Sequence, residues 1–310
     1  MTCIVSANAN LESGPPAAEN GDVTPDPAFW RGKRVLVTGH TGFKGSWLCV
    51  WLRLLGADVR GYALEPPTEP SLFELARVPD GIESVSADVR NADRLRESVV
   101  SYEPDVVLHL AAQSLVRRSY ADPIETISTN VLGAAHLLDA VRAAPSVAAV
   151  VVVTSDKCYE NREWLWAYRE DETLGGHDPY SASKAAAEIV ARCFRLSFLA
   201  EAGVPLATAR AGNVIGGGDW SDDRLVPDIV RALLRDQRPE IRAPSATRPW
   251  QHVLEPLSGY LALAERLATG GEAFAEAWNF GPPDDDAKPV GWIVETVERL
   301  WGGPSGWEPQ

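Results

Sequence analysis

A glycine-punctuated segment, Thr38 to Gly45, constrains the fold of this chain more than any other stretch. It follows a short apolar run, Arg34–Val37, and precedes residues with a helical pattern. In such a turn Gly39 permits the tight bend, Gly42 lets the backbone approach a pyrophosphate, and Gly45 allows close packing of helix on strand. Free N–H groups at the start of the helix attract the anion. A glycine-rich turn without a ligand is the alternative, but the flanking strand and helix favour a dinucleotide site.

From Phe29 onward, apolar runs typical of strands alternate with segments of helical period. Near-continuous apolar runs indicate strands buried on both faces, and helices between them permit parallel pairing. This pattern predicts a doubly wound, parallel α/β sheet of Rossmann type. The predicted strands are Arg34–Val37, Val59–Leu64, Glu83–Ser86, Val106–Leu110, Ala148–Val153 and Leu206–Ala209, and the predicted helices are Trp47–Leu55, Ala92–Tyr102, Ile124–Ala143, Tyr180–Ala202, Leu225–Leu234, Leu257–Ala268 and Val290–Trp301.

The chain divides into three regions by composition. Residues 1–28 contain Asn, Pro, Ala, Gly and acids without periodicity, which predicts a disordered tail. Residues 29–210 carry the alternating pattern and are predicted to form the dinucleotide-binding domain. Residues 211–310 are richer in Pro, Trp and loops, which predicts a smaller substrate domain over the carboxyl ends of the strands. Parts of residues 252–281 are expected to return to the first domain.

The charge balance argues against nucleic acid or an anionic membrane surface as the partner. The 310 residues include 29 Lys plus Arg and 43 Asp plus Glu, a net charge of −14. No apolar run approaches the roughly 20 residues that span a bilayer. The N-terminus lacks the features of a signal peptide, so a soluble cytoplasmic protein is expected. No metal site is expected either, because Asp284–Asp286 suggest a solvated loop and the cysteines are scattered at Cys3, Cys49, Cys158 and Cys193.

An acid beyond the turn predicts how the adenosine half of the cofactor binds. Glu65 lies twenty residues past Gly45, where a carboxylate accepts hydrogen bonds from the ribose hydroxyls. Arg60 lies nearby and would instead favour a 2′-phosphate, but NAD is the predicted cofactor. The full set of predicted cofactor contacts is Gly39, Thr41, Gly42, Phe43, Gly45, Glu65, Asp88, Val89, Ala111, Ala112, Tyr180 and Lys184.

Tyr180 and Lys184 supply the proton chemistry that accompanies hydride transfer. They lie four residues apart, so their side chains share one helix face. A free phenol has a pKa of about 10, too high for a base at neutral pH. The Lys184 ammonium and the positive nicotinamide ring are both expected to lower the pKa of Tyr180. Ser155 ends a predicted strand, where its hydroxyl would share the substrate proton with the phenol.

Several long, unusual strings of the chain carry a resemblance to a known family. They are Gly39–Trp47, Tyr62–Thr68, Thr154–Tyr159, Asp178–Ser181, Arg210–Trp220 and Arg248–Val253. From about Phe29 to Glu308 the chain resembles the extended short-chain dehydrogenase/reductases, and within them the CDP-glucose 4,6-dehydratases. The resemblance implies NAD-dependent dehydration of a nucleotide-activated glucose to a 4-keto-6-deoxy sugar, in a homo-oligomer. Members of this group continue past the position of Gln310, so the resemblance implies an incomplete substrate domain.

The resemblance also assigns roles to residues. Tyr180 takes the proton of the 4-hydroxyl while carbon 4 delivers a hydride to NAD, and Asp156 protonates the departing 6-hydroxyl. Lys157 is either the base that removes the carbon 5 hydrogen or a cation that stabilises the resulting enolate. Holding a lysine neutral at pH 7 costs about 4.6 kcal/mol, and general base catalysis returns about 3–5 kcal/mol. The base role is slightly favoured, provided that a buried pocket disfavours the charge.

The substrate side is predicted from fewer residues. By resemblance, Asn213 and Arg248 hold the diphosphate, since Arg offers bidentate contact with phosphate oxygens. Gln113 follows the strand end at His109–Ala112 and is expected to face the sugar. Two alternatives remain open at this point. One is a dehydratase or epimerase of another nucleotide sugar, such as dTDP-glucose or GDP-mannose, and the other is an NAD-binding protein without catalysis.

Overall fold

The computed structural model describes residues 24–164, 166–302 and 306–309 of the chain. Within these ranges, valine-rich apolar runs build a seven-stranded sheet, and three two-stranded ladders lie outside it. The strands are β1 (Arg34–Thr38), β2 (Asp58–Ala63), β3 (Glu83–Ser86), β4 (Val106–His109), β5 (Ala149–Val153), β6 (Leu206–Ala211), β7 (Val214–Ile215), β8 (Glu240–Ile241), β9 (Thr247–Pro249), β10 (Gln251–His252), β11 (Ala277–Phe280), β12 (Ala287–Pro289) and β13 (Glu308–Pro309).

The order of strands in the large sheet decides where a ligand can bind. The order is β11-β6-β5-β4-β1-β2-β3, and every neighbouring pair is parallel. From β1 the chain builds outward through β2 and β3, and then crosses back to add β4, β5, β6 and β11 on the other side. The carboxyl ends of β1 and β4 therefore flank a crevice at the point of reversal, where doubly wound sheets bind ligands. The predicted fold class is confirmed.

The helices lie on both faces of the sheet and in the region after it. Two of the predicted helices continue through π-helical segments, Ser128–Leu132 and Arg195–Leu199. The helices are α1 (Pro27–Trp30), α2 (Phe43–Leu54), α3 (Leu72–Leu75), α4 (Ala92–Tyr102), α5 (Val116–Ala121), α6 (Pro123–Ile127), α7 (Gly133–Val141), α8 (Pro179–Phe194), α9 (Leu225–Leu233), α10 (Leu254–Gly270) and α11 (Val290–Trp301).

Alternate residues of the strands pack into two hydrophobic cores, one on each face of the sheet. On β1, Val35 and Val37 face the core formed with α2 and α10, whereas Leu36 faces the core formed with α4, α7 and α8. A third, smaller cluster around Ile229 and Ile293 joins α9 to α11 outside the main sheet. Helices on both faces explain why the strand sequences are apolar throughout rather than alternating.

The structure departs from the predicted elements at several places. The helix predicted over Ile124–Ala143 is not α-helical throughout, because it continues through the π-helical segment Ser128–Leu132, where Asn130 donates to the Gln113 carbonyl oxygen at 3.0 Å and the Ser183 hydroxyl at 2.8 Å. Strand β11 was not predicted, since four edge-strand residues carry too little pattern. Residues 1–23 of the predicted tail lie outside the described residues, and Pro27 and Ala28 begin helix α1. No helix in the described ranges is long and apolar enough to cross a membrane.

Gly45→Ala tests the close packing of α2 on the turn that precedes it. A Cβ at this position would overlap the carbonyl oxygen of Gly39 and lie 2.8 Å from the Cα of His40. Because these are backbone atoms, helix α2 would have to move, and we expect a loss of about 3 kcal/mol in the free energy of unfolding. Urea denaturation measures it. The control is Gly217→Ala, where a Cβ meets nothing within 4 Å, and an equal loss there would contradict the packing explanation.

Candidate active site

The turn after β1 presents backbone rather than side chains to the crevice. Gly39 has a φ of +76°, and a Cβ there would lie 2.7 Å from the amide nitrogen of Ala111. Gly42 precedes helix α2, and a Cβ on it would meet only the carbonyl oxygen of Gly39, at 3.4 Å. The Thr41 hydroxyl donates to the carbonyl oxygen of Leu64 at 2.8 Å and so fastens the turn to the end of β2. The first turn of α2, which begins at Phe43, is thereby open to an anionic group.

Glu65 and Arg60 lie in different surroundings, and this bears on the choice of cofactor. Glu65 follows β2, is exposed, and accepts a 2.5 Å hydrogen bond from the Ser86 hydroxyl. Arg60 pairs with Glu83 at 2.8 Å and packs its guanidinium 4.4 Å from the ring centroid of Tyr102. Because Arg60 is committed to these partners, the end of β2 presents a carboxylate rather than a cation. That arrangement fits NAD better than NADP.

The other predicted cofactor contacts lie at the ends of β3 and β4. The Asp88 carboxylate pairs with Arg90 at 2.5 Å, and these hydrogen bonds hold the pKa of Asp88 below its ordinary value. Val89 is buried, and a Cβ on Gly133 would lie 2.8 Å from its side chain. Ala111, which Ala112 follows, donates its N–H to the Thr38 hydroxyl oxygen at 3.2 Å. All of these residues lie at the carboxyl edge of the sheet.

Ser155 and Tyr180 meet although 25 residues separate them in sequence. Ser155 follows β5, and its hydroxyl donates to the Asp156 carboxylate at 3.0 Å and accepts from the Lys157 N–H at 3.2 Å. Tyr180 is the second residue of α8, where its buried phenol hydrogen-bonds Ser155. Burial raises the pKa of Tyr180 to about 12, although the Ser155 hydrogen bond opposes the rise. The expected lowering by Lys184 is therefore wrong for the protein groups alone, because burial of the phenol dominates.

Lys184 lies one turn further along α8 and is also buried. Its ammonium lies 3.4 Å from the carbonyl oxygen of Val153, at the end of β5. Burial lowers the pKa of Lys184 to about 8, and the negative charge of Glu188 opposes that change. Below about pH 8 the site therefore holds a positive charge next to the Tyr180 and Ser155 segments.

Lys157 is exposed, and this changes the prediction made for it. The slight preference for a catalytic base depended on a buried pocket that disfavours the ammonium ion. No such burial surrounds the Lys157 side chain, whereas Asp156 beside it is partly buried. A Cβ on Gly212 would lie 3.2 Å from the Asp156 carboxylate, so the segment after β6 reaches the same place. The geometry favours the cationic role for Lys157.

The three predicted substrate contacts differ in how free their side chains are. Gln113 is buried, and its amide donates to the carbonyl oxygen of Leu115 at 3.0 Å and to the hydroxyl of Thr126 at 2.9 Å. Asn213 follows β6 and is partly buried, and Arg248 on β9 is exposed. The Gln113 side chain thus stabilises its own loop by hydrogen bonds, whereas the side chains of Asn213 and Arg248 are accessible to solvent. Their contacts with a substrate stay predictions.

Two cations at the site, Lys44 and Arg224, were missed by the sequence analysis. The Lys44 ammonium, on the first turn of α2, lies 5.9 Å from the ring centroid of Tyr260. Burial lowers the pKa of Lys44 to about 8, with further lowering by the positive charges of Arg224 and Lys184 and an opposing effect of Asp156. An acidic protein thus gathers three cations at one edge of its sheet, as an anionic ligand requires. The available signal was a lysine inside the glycine turn itself.

Comparison with known proteins identifies the family. A model of the "NAD dependent epimerase/dehydratase family" matches residues 35–281. The chain belongs to this family. Within the described ranges, no group of three or more His, Cys, Asp or Glu side chains is arranged to hold a metal ion.

Relatives in this family include several nucleotide-sugar dehydratases. The chain is 58% identical over 287 residues to CDP-glucose 4,6-dehydratase of Salmonella typhimurium, covering 91% of this chain and 80% of that protein. It is 30% identical over 276 residues to a dTDP-glucose 4,6-dehydratase of Streptomyces griseus, covering 86% of this chain and 80% of the other. A crystal structure of a mutant dTDP-glucose 4,6-dehydratase from Streptomyces venezuelae with NAD bound has 25% identity and a TM-score of 0.76, over 89% of this chain and 84% of that one. The predicted resemblance is confirmed.

Two buried histidines predict acid sensitivity at the cofactor edge. Burial lowers the pKa of His40 to about 4 and that of His109 to about 3. The unfolded chain takes up these protons near pH 6.5, so stability is complete above that pH and is lost as the pH falls toward 4. At pH 4.5 we expect each histidine to cost about 2–3 kcal/mol relative to pH 7, measured by urea unfolding at both values.

The variant His109→Asn tests this assignment directly. The His109 ring shares a 2.7 Å hydrogen bond with the Thr38 hydroxyl, which an amide can keep without titrating. We expect the variant to lose less stability between pH 7 and pH 4.5 than the wild type, by about 2 kcal/mol. His177→Asn, at an exposed position, is the control and should keep the wild-type pH dependence. An unchanged pH dependence in His109→Asn would refute the role of burial.

Proposed function

We propose that this chain catalyses the NAD-dependent dehydration of CDP-glucose to CDP-4-keto-6-deoxyglucose. The observation that carries the proposal is the 58% identity, across 91% of the chain, to the CDP-glucose 4,6-dehydratase of Salmonella typhimurium. The arrangement of Tyr180, Ser155, Asp156 and Lys184 at the carboxyl edge of the sheet supports a catalytic rather than a purely cofactor-binding role. A protein that only bound NAD would need the glycine turn alone.

The residues at the β1 and β2 ends fit NAD. The turn from Gly39 to Gly45 is lined by backbone and leads into the N-terminus of α2, which suits a pyrophosphate. Glu65 would accept from the adenosine ribose, and Lys184 would bind near the nicotinamide end. Bound there, the cofactor supplies a reversible hydride acceptor. We assign residues 29–210, together with α10 and β11, to this cofactor-binding half, and the remaining residues after β6 to the substrate half.

Tyr180 and Ser155 would move the proton of the first step. As carbon 4 of the sugar is oxidised, its hydroxyl proton passes to the Tyr180 oxygen, and the Ser155 hydroxyl stabilises the arrangement by hydrogen bonding to the phenol. Tyr180 must be phenolate to accept this proton, and burial of the phenol opposes that form. The positive nicotinamide ring, together with the Lys184 charge, would favour it when the cofactor is bound. The resulting ketone acidifies the neighbouring carbon 5 hydrogen, which prepares the loss of water.

Asp156 and Lys157 would act in the elimination. The carbon 5–hydrogen bond and the carbon 6–oxygen bond both break: the carbon 5 proton would pass to solvent water at this exposed segment, and Asp156 would give its proton to the departing hydroxyl, which leaves as water. Return of the hydride from the reduced cofactor to carbon 6, with a proton to carbon 5, would complete the 4-keto-6-deoxy sugar. Because Lys157 is exposed, we assign it the role of a cation that stabilises the negative charge developing at carbon 5. Asn213 and Arg248 would hold the diphosphate, and Gln113 would shape the loop beside the sugar.

We propose a homo-oligomer formed through α6, α8 and the segments that extend them, because these carry a group of exposed apolar side chains: Ile124, Ile127, Leu132, Ile189 and Leu196. We also propose a cytoplasmic location, where NAD and nucleotide sugars are available. The cysteines in the described ranges, which are Cys49, Cys158 and Cys193, are free.

Substrate identity is tested by mass analysis of nucleotide sugars after incubation with the protein and NAD. CDP-glucose, dTDP-glucose, UDP-glucose and GDP-mannose are offered separately. We expect the loss of one water from CDP-glucose and little change in the others. Water loss from a different sugar would retain the mechanism and refute the substrate, and no loss from any would refute the proposed function of this chain.

Tyr180→Phe tests the proton step separately from cofactor binding. Removing the hydroxyl should lower kcat by about 10²–10⁴, the usual contribution of a positioned proton-transfer group, while NAD binding measured by calorimetry changes little. Tyr120→Phe is the matched control, because Tyr120 is 66% exposed and is not one of the predicted site residues. A Tyr180→Phe variant with wild-type kcat would exclude the phenol from proton transfer.

The role of Lys157 is tested by comparing Lys157→Arg with Lys157→Met. Arg keeps the positive charge but cannot serve as a base, so a cationic role predicts that Arg retains most of the activity. Met should lower kcat by about 10-fold to 100-fold. Solvent deuterium exchange at carbon 5 is followed by mass analysis in both variants. Equal loss of exchange in the two would restore the base role.

A further inference from the structure

A buried carboxylate below the active site has no role in the steps described so far. Glu188 lies four residues after Lys184 on α8, and its side chain is only 3% exposed. It accepts hydrogen bonds from the hydroxyls of Thr154 and Thr208, the latter at 2.7 Å, and from the guanidinium of Arg210 at 2.8 Å. Both oxygens of the carboxylate thus accept hydrogen bonds, one from Thr154 directly after β5 and the other from Thr208 and Arg210 on β6.

Stability alone does not explain this buried ion pair. Arg210 is 4% exposed, so both charges have lost most of their hydration. Replacing such a pair with apolar residues is often neutral or stabilising, because desolvation offsets the attraction. Both carboxylate oxygens of Glu188 are hydrogen-bonded, although the Nε of Arg210 is buried without a hydrogen-bond partner. Such a pair, one helical turn below Lys184, points instead to a requirement of the site.

The partners of Glu188 are connected to both ends of the catalytic segment. Thr154 immediately precedes Ser155, so its hydrogen bond to Glu188 fixes the position of the backbone that carries Ser155. Arg210 also donates to the Tyr159 hydroxyl at 2.7 Å, two residues after Lys157. The Tyr159 hydroxyl in turn donates to Asn279 on β11 at 2.7 Å. One carboxylate therefore holds the segment from Thr154 to Tyr159 against β6 and β11.

The same carboxylate is the principal negative charge acting on Lys184. Burial raises the pKa of Cys158 to about 12, so that residue remains a neutral thiol. The imidazole of His109 on β4 and the ammonium of Lys44 on α2 interact electrostatically with Lys184 from other elements. Residues four apart on a helix are neighbours, about 5–6 Å between Cβ atoms. Without Glu188, burial and the Lys44 charge would act on Lys184 with little opposition.

We propose that Glu188 is a positioning residue that keeps Lys184 protonated and holds the Thr154–Tyr159 segment in its catalytic geometry. The inference rests on the proposed function for its consequence in catalysis. Its electrostatic part concerns Lys184 alone and can be measured without any substrate.

The experiment is the titration of Lys184 by NMR in the full chain. The sequence has five lysines, so ¹³C labelling at lysine gives few resonances, assigned with single Lys→Arg variants at Lys33, Lys44, Lys157, Lys184 and Lys288. In Glu188→Gln, which keeps the shape and loses the charge, we expect the titration midpoint of Lys184 to fall by about one pH unit. The alkaline limb of kcat/KM should move to lower pH by the same amount. An unchanged midpoint would overturn the proposal.

Two further variants separate charge from structure. Glu188→Asp keeps the charge and should retain the Lys184 midpoint of the wild type. Thr208→Val removes one hydrogen bond to the same carboxylate without changing charge, and it should also leave the midpoint in place. If loss of the hydrogen bond alone moved the midpoint as far as Glu188→Gln does, an electrostatic role would be refuted.

The double variant Glu188→Gln with Arg210→Gln covers the case in which the single change leaves Arg210 unpaired and prevents folding. Glu188 is the neighbour of Lys184 on α8, whereas Arg210 lies on β6, so the double variant should still show a lowered midpoint, and an unaltered one would overturn the proposal. Failure of the proposed function would be seen separately, as a wild-type protein that dehydrates no nucleotide sugar while its Lys184 titration still responds to Glu188.

Discussion

The close backbone contact between the turn after β1 and the end of β4 is the constraint on which the rest of the site depends. Gly39 adopts a positive φ there, and its Cα lies so near the backbone of Ala111 that no side chain fits between them. The strand order reverses between these two strands, so the crevice opens above this contact. Parallel pairing then brings the residues after β2, β5 and β6 to the same edge. The contact between Gly39 and Ala111 thus determines the edge of the sheet at which the functional side chains lie together.

The distribution of charge follows from that geometry. The chain is strongly acidic, with a net charge of −14, yet the positive charges of Arg224 and Lys184 both act on Lys44 at the carboxyl edge of the sheet. Burial lowers the pKa of both lysines to about 8, so these cations are maintained at a cost. Asp156 offsets part of this cost at Lys44, and Glu188 offsets part of it at Lys184. Anionic ligands therefore meet a positive site in a protein whose overall charge would repel them.

Much of the fold was predictable because its signals are local. The valine-rich runs of β1, β4 and β5 and the helical periods between them indicate a parallel sheet without any knowledge of contacts. Strand β11 escaped prediction because Ala277–Phe280 is short and lies at the edge, where pairing with β6 rather than its own composition makes it a strand. The π-helical segment around Asn130 was not predicted either, since the Asn130 side chain is bonded to Gln113 and Ser183, which lie far from it in sequence.

The sequence by itself determined the sheet, the glycine turn and the pairing of Tyr180 with Lys184, because strand burial, turn conformation and helical spacing are properties of neighbouring residues. Only the tertiary structure decided how these groups are charged. The raised pKa of Tyr180 and the exposure of Lys157 result from solvent access, which depends on how distant segments pack. The ion pair of Glu188 with Arg210 likewise joins α8 to β6 across 22 residues. Burial and contacts between distant segments are not encoded in local sequence patterns, so only the folded structure could show them.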